Sequence, residues 1–188
     1  MIINQKYLKE YSPLSLNMNL DEVMNYVPVS ESIWVKPILG QDLYDEIQEQ
    51  IDENDLSPEN ATLLTDGGLW QYLAYATCLE GLAFLWCHIS EIGLTRGHSD
   101  NSDSLELKDL AYVENHLRRQ TEFLKDSLIQ WLCERKDHYP LLPDKTCQCG
   151  CGCGNLSSCG CDSHYGKLNN PNPMKLLYST LKKNTDIK

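Results

Sequence analysis

Six cysteines occur within the fifteen residues 147 to 161, in the stretch CQCGCGCGNLSSCGC. Alternating C-x-C spacing on a glycine-rich backbone brings successive sulfurs close together, as in thiolate sites for soft metals. Zinc takes four tetrahedral ligands, so these thiols, with His164 nearby, can supply one site with ligands to spare. The sequence therefore predicts a structural zinc site with the candidate ligands Cys147, Cys149, Cys151, Cys153, Cys159 and Cys161.

The spacing of these cysteines differs from the C-x2-C pairs of ordinary zinc modules, so the choice of ligands stays open. Two other interpretations stay open as well. An even number of thiols can form disulfides once a protein leaves the cytosol, and a glycine-rich loop can carry thiols that have no role. In each case the segment has almost no apolar residue with which to build a core. We therefore expect an irregular lobe attached to a larger helical body.

No catalytic pattern accompanies the cysteines. The sequence has no phosphate-binding glycine loop, no dinucleotide-binding pattern, no helical His-Glu zinc motif and no nucleophile elbow. The short combinations at Arg96 to His98 and Asp162 to His164 are too common to indicate chemistry alone. We expect a protein that is not an enzyme.

The net charge of -11 comes from one part of the chain. Residues 37–95 contain no Lys or Arg but eleven acidic residues, whereas the remainder is balanced and the end of the chain is basic. Such a charge argues against a protein that holds DNA by neutralising phosphates. It suits either a solvated acidic face or a subunit with one acidic and one basic side. We predict that part of the acidic set between Asp42 and Asp66 faces a channel or the basic side of a neighbouring subunit.

Helical spacing of apolar residues dominates the first half of the sequence. A short helix is predicted in NLDEVMNYV, followed by a second one that Ser30 caps and that Pro37 and Gly40 interrupt. A third helix has Ser57 as its N-cap and Pro58 in its first turn.

The segment at residues 69–92 is apolar nearly all round, which predicts a buried central helix rather than a membrane span because Glu80 lies at its middle. Cys78 and Cys87 are expected to be small core residues of this helix, and His88 a structural histidine. The Gly- and Ser-rich residues 93–104 that follow predict an exposed loop or a small hairpin.

A long helix is predicted from Ser104 to Lys136, and the prolines of HYPLLP end it. The expected fold is mainly α, a small helical bundle around the central apolar helix and this long C-terminal helix. We expect three parts, a helical domain at residues 1–143, the Cys-rich lobe at 144–170 and a short basic tail at 171–188. The beginning of the sequence has no basic start followed by an apolar run, so we expect synthesis in a reducing cytosol.

Four segments of the sequence resemble those of a known family. They are SESIWVKPILGQDLYDEI, LWQYLAYATCLEGLAFLWCHI, IGLTRGHSDNSDS and LIQWLCERKDHYPLLP. In these segments residues 18–143 resemble the head-tail connector or adaptor proteins of tailed bacteriophages, above all those of Bacteroides-type hosts and crAss-like phages. The Cys-rich lobe lies outside the resemblance.

The resemblance implies a structural virion protein, made in the host cytoplasm and located in the phage neck. It implies a homo-oligomeric ring, typically of twelve copies, that contacts the portal protein and tail or neck proteins. Such a ring continues the DNA channel for packaging retention and ejection, so DNA passes through it without specific binding and no membrane is involved. The alternative is a small metal-binding regulatory or interaction protein that acts through the Cys-rich lobe.

Overall fold

A computed structural model of the chain describes residues 1–14, 20–90, 93–96 and 107–147. The chain divides into a compact unit, Met1–Cys147, and a second unit, Gln148–Lys188. The first unit is mainly helical, which confirms the predicted fold class. Its elements are α1 (Gln5–Tyr11), α2 (Leu20–Met24), α3 (Val27–Ser30), one π-helical turn (Glu31–Val35), α4 (Lys36–Glu53), α5 (Pro58–Thr65), α6 (Leu69–Trp86), β1 (Cys87–Ser90), β2 (Gly93–Arg96) and α7 (Leu107–Glu134), followed by 3-10 turns at Lys136–His138 and Asp144–Cys147.

Helix α6 is the centre of this unit, as its all-round apolar sequence predicts. Its side chains from Leu69 to Leu79 are almost all buried, and it contacts α1, α2, α3, α5 and α7. Glu80, the one acidic residue of the helix, accepts a hydrogen bond from Trp34 Nε1 at 2.9 Å. Within the described ranges, no helix is long and apolar enough to cross a membrane.

Helix α7 packs on α6 through the second half of its apolar stripe. Leu117, Thr121, Leu128 and Leu132 are buried, whereas Val113 is exposed. The helix is described from Leu107, since residues 104–106 lie outside the described residues, and it ends at Glu134 before the 3-10 turn that precedes Pro140. Residues 111–116 are all exposed, so this part of α7 extends beyond the core.

The predicted interruption in the helix before Leu43 is confirmed at Gly40. Its backbone has φ 76° and ψ 167°, a conformation that glycine adopts without steric strain. A Cβ atom at this position would lie 2.5 Å from Cγ of Pro143. Gly40 thus meets two requirements, the bend in α4 and the close approach of the segment that follows α7.

The predicted N-cap role of Ser30 is wrong. Helical backbone runs through this residue from α3 into the π-helical turn, so no helix begins there. The Ser30 hydroxyl is buried and donates to the Tyr26 carbonyl oxygen at 2.9 Å, a local bond that short polar side chains commonly make within helices. Ser57 does cap α5, since its Oγ accepts from Asn60 N at 3.2 Å and Pro58 follows it.

The N-terminal residues are held in the core by a buried carboxylate. Glu31 is 3% exposed. Its two oxygens accept from the Ile2 backbone N–H at 2.6 Å and from the Tyr44 hydroxyl at 2.8 Å. Trp70 Nε1 also donates to the Ile2 carbonyl oxygen at 3.0 Å. One acid therefore joins the start of the chain to α4 through the π-helical turn.

The hairpin expected after α6 is present but begins earlier than predicted. Strand β1 pairs antiparallel with β2, with Cys87 opposite Arg96 and Ser90 opposite Gly93. Cys87 and His88 therefore lie in a strand, and their predicted places in the central helix are wrong. The cause is the end of α6 at Trp86, where backbone pairing with β2 replaces the next helical turn. The rest of the loop, residues 97–103, lies outside the described residues.

The helical unit also extends past the predicted boundary at 143. Thr146 Oγ1 donates to the Ile38 carbonyl oxygen at 2.7 Å, and Cys147 is bonded to Cys133. These contacts attach residues 144–147 to the bundle. The predicted boundary at residue 170 and the basic tail lie outside the described residues.

We predict that Gly40→Ala lowers the free energy of unfolding by about 2–4 kcal/mol, from the unfavourable φ and the clash with Pro143. Urea denaturation of the single variants and of Gly40→Ala with Pro143→Ala measures the coupling between the two positions. The clash should be relieved in the double variant, and only the φ contribution should remain. Simple additivity of the two single losses would contradict the proposed contact.

We predict that Glu31→Ala lowers the free energy of unfolding by about 2–4 kcal/mol, because two buried donors lose their acceptor. Glu31→Gln should lose less, since its amide oxygen still accepts one bond. Glu49→Ala, an exposed residue on α4, is the control and should change stability by less than about 0.5 kcal/mol. Equal losses for Glu31→Ala and Glu49→Ala in urea denaturation would refute the role of Glu31.

Candidate assembly surface

Nine carboxylates between Asp42 and Asp66 lie on α4, on α5, in their connection and at the residue that follows α5. We call this set the acidic surface. Glu46 is half-buried and the other members are exposed. The exposed members are Asp42, Asp45, Glu49, Asp52, Glu53, Asp55, Glu59 and Asp66.

Amphipathic spacing places these acids outside. In α4, Leu43, Tyr44 and Ile47 point into the core, so the intervening acidic residues face outward. Desolvation by burial and the hydrogen bond to Glu31 raise the pKa of Tyr44 well above its usual value, so its hydroxyl stays a neutral donor. The core thus fixes which face of α4 carries the charge.

A buried amide network fixes α5 against α4. Asn60 is 2% exposed. Its Nδ2 donates to Glu46 Oε1 and to Gln50 Oε1, both at 2.9 Å. Gln50 Oε1 also accepts from Ser57 N at 3.0 Å. The two helices therefore present their carboxylates as one positioned surface.

The acidic surface lacks neutralising charges in the part of the chain that the structure describes. None of its carboxylates pairs there with a described Lys or Arg. The described ion pairs lie on α7 and just after it, and they are Arg118–Glu114, Lys125–Glu122, Arg135–Glu134 and Lys136–Asp144. Uncompensated carboxylates at this density produce a negative potential that attracts cationic partners and repels polyanions.

A cleft of about 380 Å³ borders this surface. Glu46 and Glu59 line one side, and Tyr139 and Leu141 line the other. The Tyr139 hydroxyl donates to the Glu59 carbonyl oxygen at 2.7 Å. Burial, with the nearby Glu59 carboxylate, raises the pKa of Tyr139 to about 12. At neutral pH this hydroxyl is a structural donor rather than a general base.

Exposed apolar side chains form further candidate contacts away from the acids. Val29 and Ile33 are 46% and 52% exposed, one helical turn apart. Phe84 is also exposed and stacks on Tyr26, with ring centroids 5.5 Å apart. On the projecting part of α7, Tyr112 is 72% exposed. Neighbouring exposed apolar side chains, such as Val29 and Ile33, are typical of surfaces that other molecules cover.

The structure shows Cys147, one of the predicted zinc ligands, in a disulfide. Cys147 forms a disulfide with Cys133, and a sulfur in a disulfide is not a thiolate ligand. This corrects its assignment as a ligand in the oxidised chain. The other five candidates, Cys149, Cys151, Cys153, Cys159 and Cys161, lie outside the described residues, as does His164. Among the residues that are described, no group of three or more His, Cys, Asp or Glu side chains is placed to hold a metal ion.

Cys133 is a functional candidate that the sequence reasoning missed. It comes directly after Leu132, the last residue of the apolar stripe of α7. The helical pattern therefore gave no reason to expect it to pair with a cysteine of the Cys-rich segment. The signal available was the turn between the two cysteines, where the prolines of HYPLLP reverse the chain. Cys78 is buried and free, as predicted for a core residue, and burial raises its pKa to about 12.

We predict that the reduced protein binds about one zinc ion per chain through the Cys-rich segment. Elemental analysis of the protein peak from gel filtration measures the metal content. Cys149→Ser with Cys151→Ser should remove most of the zinc, because too few thiolates then remain close together. Cys78→Ser is the matched control and should retain it. Absence of zinc from the reduced wild-type protein in zinc-containing buffer would leave disulfides or an idle loop as the explanation.

Comparison with known proteins gives a family but no named relative. No curated protein and no solved structure matches the chain. Residues 35–152 match a family described as Family of unknown function (DUF6712). The match includes α4 to α7, the acidic surface and both cysteines of the disulfide. Because it spans more than half of the sequence, the chain belongs to the DUF6712 family of unknown function.

Proposed function

We propose that the chain is a structural subunit of a ring in the neck of a tailed bacteriophage, between portal and tail. The observation that carries the proposal is the acidic surface on α4 and α5, which has no described cationic partner within its own chain. The resemblance of residues 18–143 to phage head-tail adaptor proteins supports the same function. A virion ring needs surfaces of this kind, both for contacts between subunits and for a channel that DNA must leave.

Ring closure requires two different complementary surfaces on each subunit. The acidic surface is one candidate, and the exposed apolar residues Ile33, Phe84 and Tyr112 lie on other elements. Part of the acidic surface then lies against the basic side of the next subunit or lines the channel. In the channel, carboxylates would repel the phosphates of DNA and keep it free to slide.

The first experiment is light scattering of the purified protein, alone and with its portal protein. A species of about twelve subunits, or a monomer that becomes one on adding portal, is the expected result. A protein that stays monomeric or dimeric in both conditions would refute the ring. The alternative, a small metal-binding protein acting through the Cys-rich lobe, predicts a metal-loaded monomer or dimer that is indifferent to portal.

A charge reversal then tests the role of the acidic surface itself. We predict that Glu49→Lys with Asp52→Lys acts in one of two ways. If these acids lie at a subunit contact, the ring dissociates. If they line the channel, the ring persists and now retards duplex DNA in a gel, because two carboxylates per subunit have become cations.

The matched control is Glu10→Lys with Glu22→Lys, which makes the same change of charge at exposed positions on α1 and α2. It should leave both the ring and its DNA binding unchanged. Circular dichroism confirms that each variant is folded. A ring that neither dissociates nor binds DNA when Glu49 and Asp52 are reversed would show that the acidic surface only faces solvent, which contradicts the proposal.

A further inference from the structure

The segment 135–147, which we call the strap, runs back over α4 and α5 after α7 ends. It is anchored at its middle, where Tyr139 and Leu142 are both 3% exposed. At its end, Thr146 Oγ1 donates a hydrogen bond to the Ile38 carbonyl oxygen at 2.7 Å, and the Thr146 carbonyl oxygen lies 3.9 Å from Cys133 Sγ. Pro143 lies between these two regions, directly over Gly40.

A disulfide joins the end of the strap to the last turn of α7. Cys133 lies in the last turn of α7 and Cys147 at the end of the strap, with Cα atoms 5.4 Å apart and a sequence separation of 14 residues. Cys147 is 7% exposed and packs in the core cluster, whereas Cys133 is half-buried at its edge. The bond therefore closes the strap into a covalent loop against the bundle.

We propose that Cys133 and Cys147 form a redox-controlled clasp. In a reducing cytosol the two residues are thiols, and the end of the strap is held only by its weak contacts. In oxidising surroundings the pair forms the disulfide and holds residues 143–147 on α4. The change of surroundings rests on the proposed function, because a virion leaves the cytosol where its subunits are made.

The reaction is a thiol–disulfide exchange. The Cys133 or Cys147 thiolate attacks a small disulfide such as oxidised glutathione, and one glutathione thiolate leaves. The second cysteine then attacks the mixed disulfide, which forms the Cys133–Cys147 bond and releases the second glutathione. Two protons and two electrons pass from the protein thiols to the two glutathione molecules. A dithiol reductant reverses the reaction.

The geometry predicts which part of the strap responds. Tyr139 is fixed by burial and by its bond to the Glu59 carbonyl oxygen, so it should stay in place after reduction. The exposed Lys136–Asp144 pair and the Thr146 bond to Ile38 are too few to hold the last residues firmly. Opening should therefore be local to 143–147, where Thr146 N donates to the Pro143 carbonyl oxygen.

Hydrogen exchange of the full chain, read by mass spectrometry, tests the clasp. One sample is treated with oxidised glutathione and one with a dithiol reductant. Peptide mapping of the first should find Cys133 linked to Cys147. The amides of residues 144–147 should exchange about tenfold faster or more after reduction, with no change in the first turns of α6. Equal exchange in the two samples, or a link from Cys147 to a different cysteine, would overturn the proposal.

Three variants separate the clasp from the other thiols. Cys133→Ser should exchange rapidly in both samples, whereas Cys78→Ser should keep the full redox difference. A chain with Cys149→Ser, Cys151→Ser, Cys153→Ser, Cys159→Ser and Cys161→Ser should also keep it, and loss of the difference there would overturn the assignment. All measurements use the isolated chain, so a protein that forms no ring would refute the neck function without affecting this result.

Discussion

The burial of α6 from Leu69 to Leu79 is the constraint on which the rest of the helical unit depends. A helix without a polar face must be surrounded, and α1, α2, α3, α5 and α7 surround it. Each large side chain that becomes fully buried contributes about 1.5–3 kcal/mol, and Leu69, Tyr72 and Leu73 are all fully buried. Four of the surrounding helices are short, and only α7, with 28 residues, is longer than α6.

The same packing determines the charged exterior. Helix α4 turns Leu43 and Ile47 inward, so its acids are forced outward, and Asn60 then fixes α5 beside it. Nine acids on one side repel one another, and the core must offset this repulsion in an isolated subunit. A cationic neighbouring subunit would remove that repulsion. In a DNA channel, the same carboxylates would repel the DNA phosphates. Both outcomes connect the stability of the fold to assembly rather than to catalysis.

The two ends of the helical unit are attached by different chemistry. At the start, the Glu31 carboxylate binds the Ile2 amide and the Tyr44 hydroxyl within the core. At the end, the strap is held by the buried Tyr139, by hydroxyl-to-carbonyl bonds from Tyr139 and Thr146, and by the Cys133–Cys147 disulfide. The first attachment is independent of redox conditions, whereas the second includes a bond that the surroundings can break. The attachment of the N-terminal residues is therefore insensitive to redox conditions, whereas the attachment of the strap depends on them.

The sequence by itself determined the helical class, the central place of residues 69–86, the cap at Ser57, the break at Gly40 and the location of the charge. These follow from periodicity and from single-residue chemistry, which act within a few residues of one another. The predictions for Ser30, Cys87 and His88 were wrong because contacts with residues elsewhere in the chain override the local sequence pattern. Helical backbone continues through Ser30 because a π-helical turn brings Glu31 to Ile2 and Tyr44, and α6 ends at Trp86 because β2 supplies pairing partners.

Only the tertiary structure decided the partners of Glu31, the contact of Gly40 with Pro143 and the pairing of Cys133 with Cys147. In each case the two groups are far apart in sequence or separated by a turn, and no local rule selects one partner among many. Nine cysteines permit many pairings. From the sequence alone, only the separation along the chain is known, and this separation is smallest among the cysteines of the Cys-rich segment. The folded chain replaces that distance with one through space, which the packing around α6 and the reversal after α7 determine.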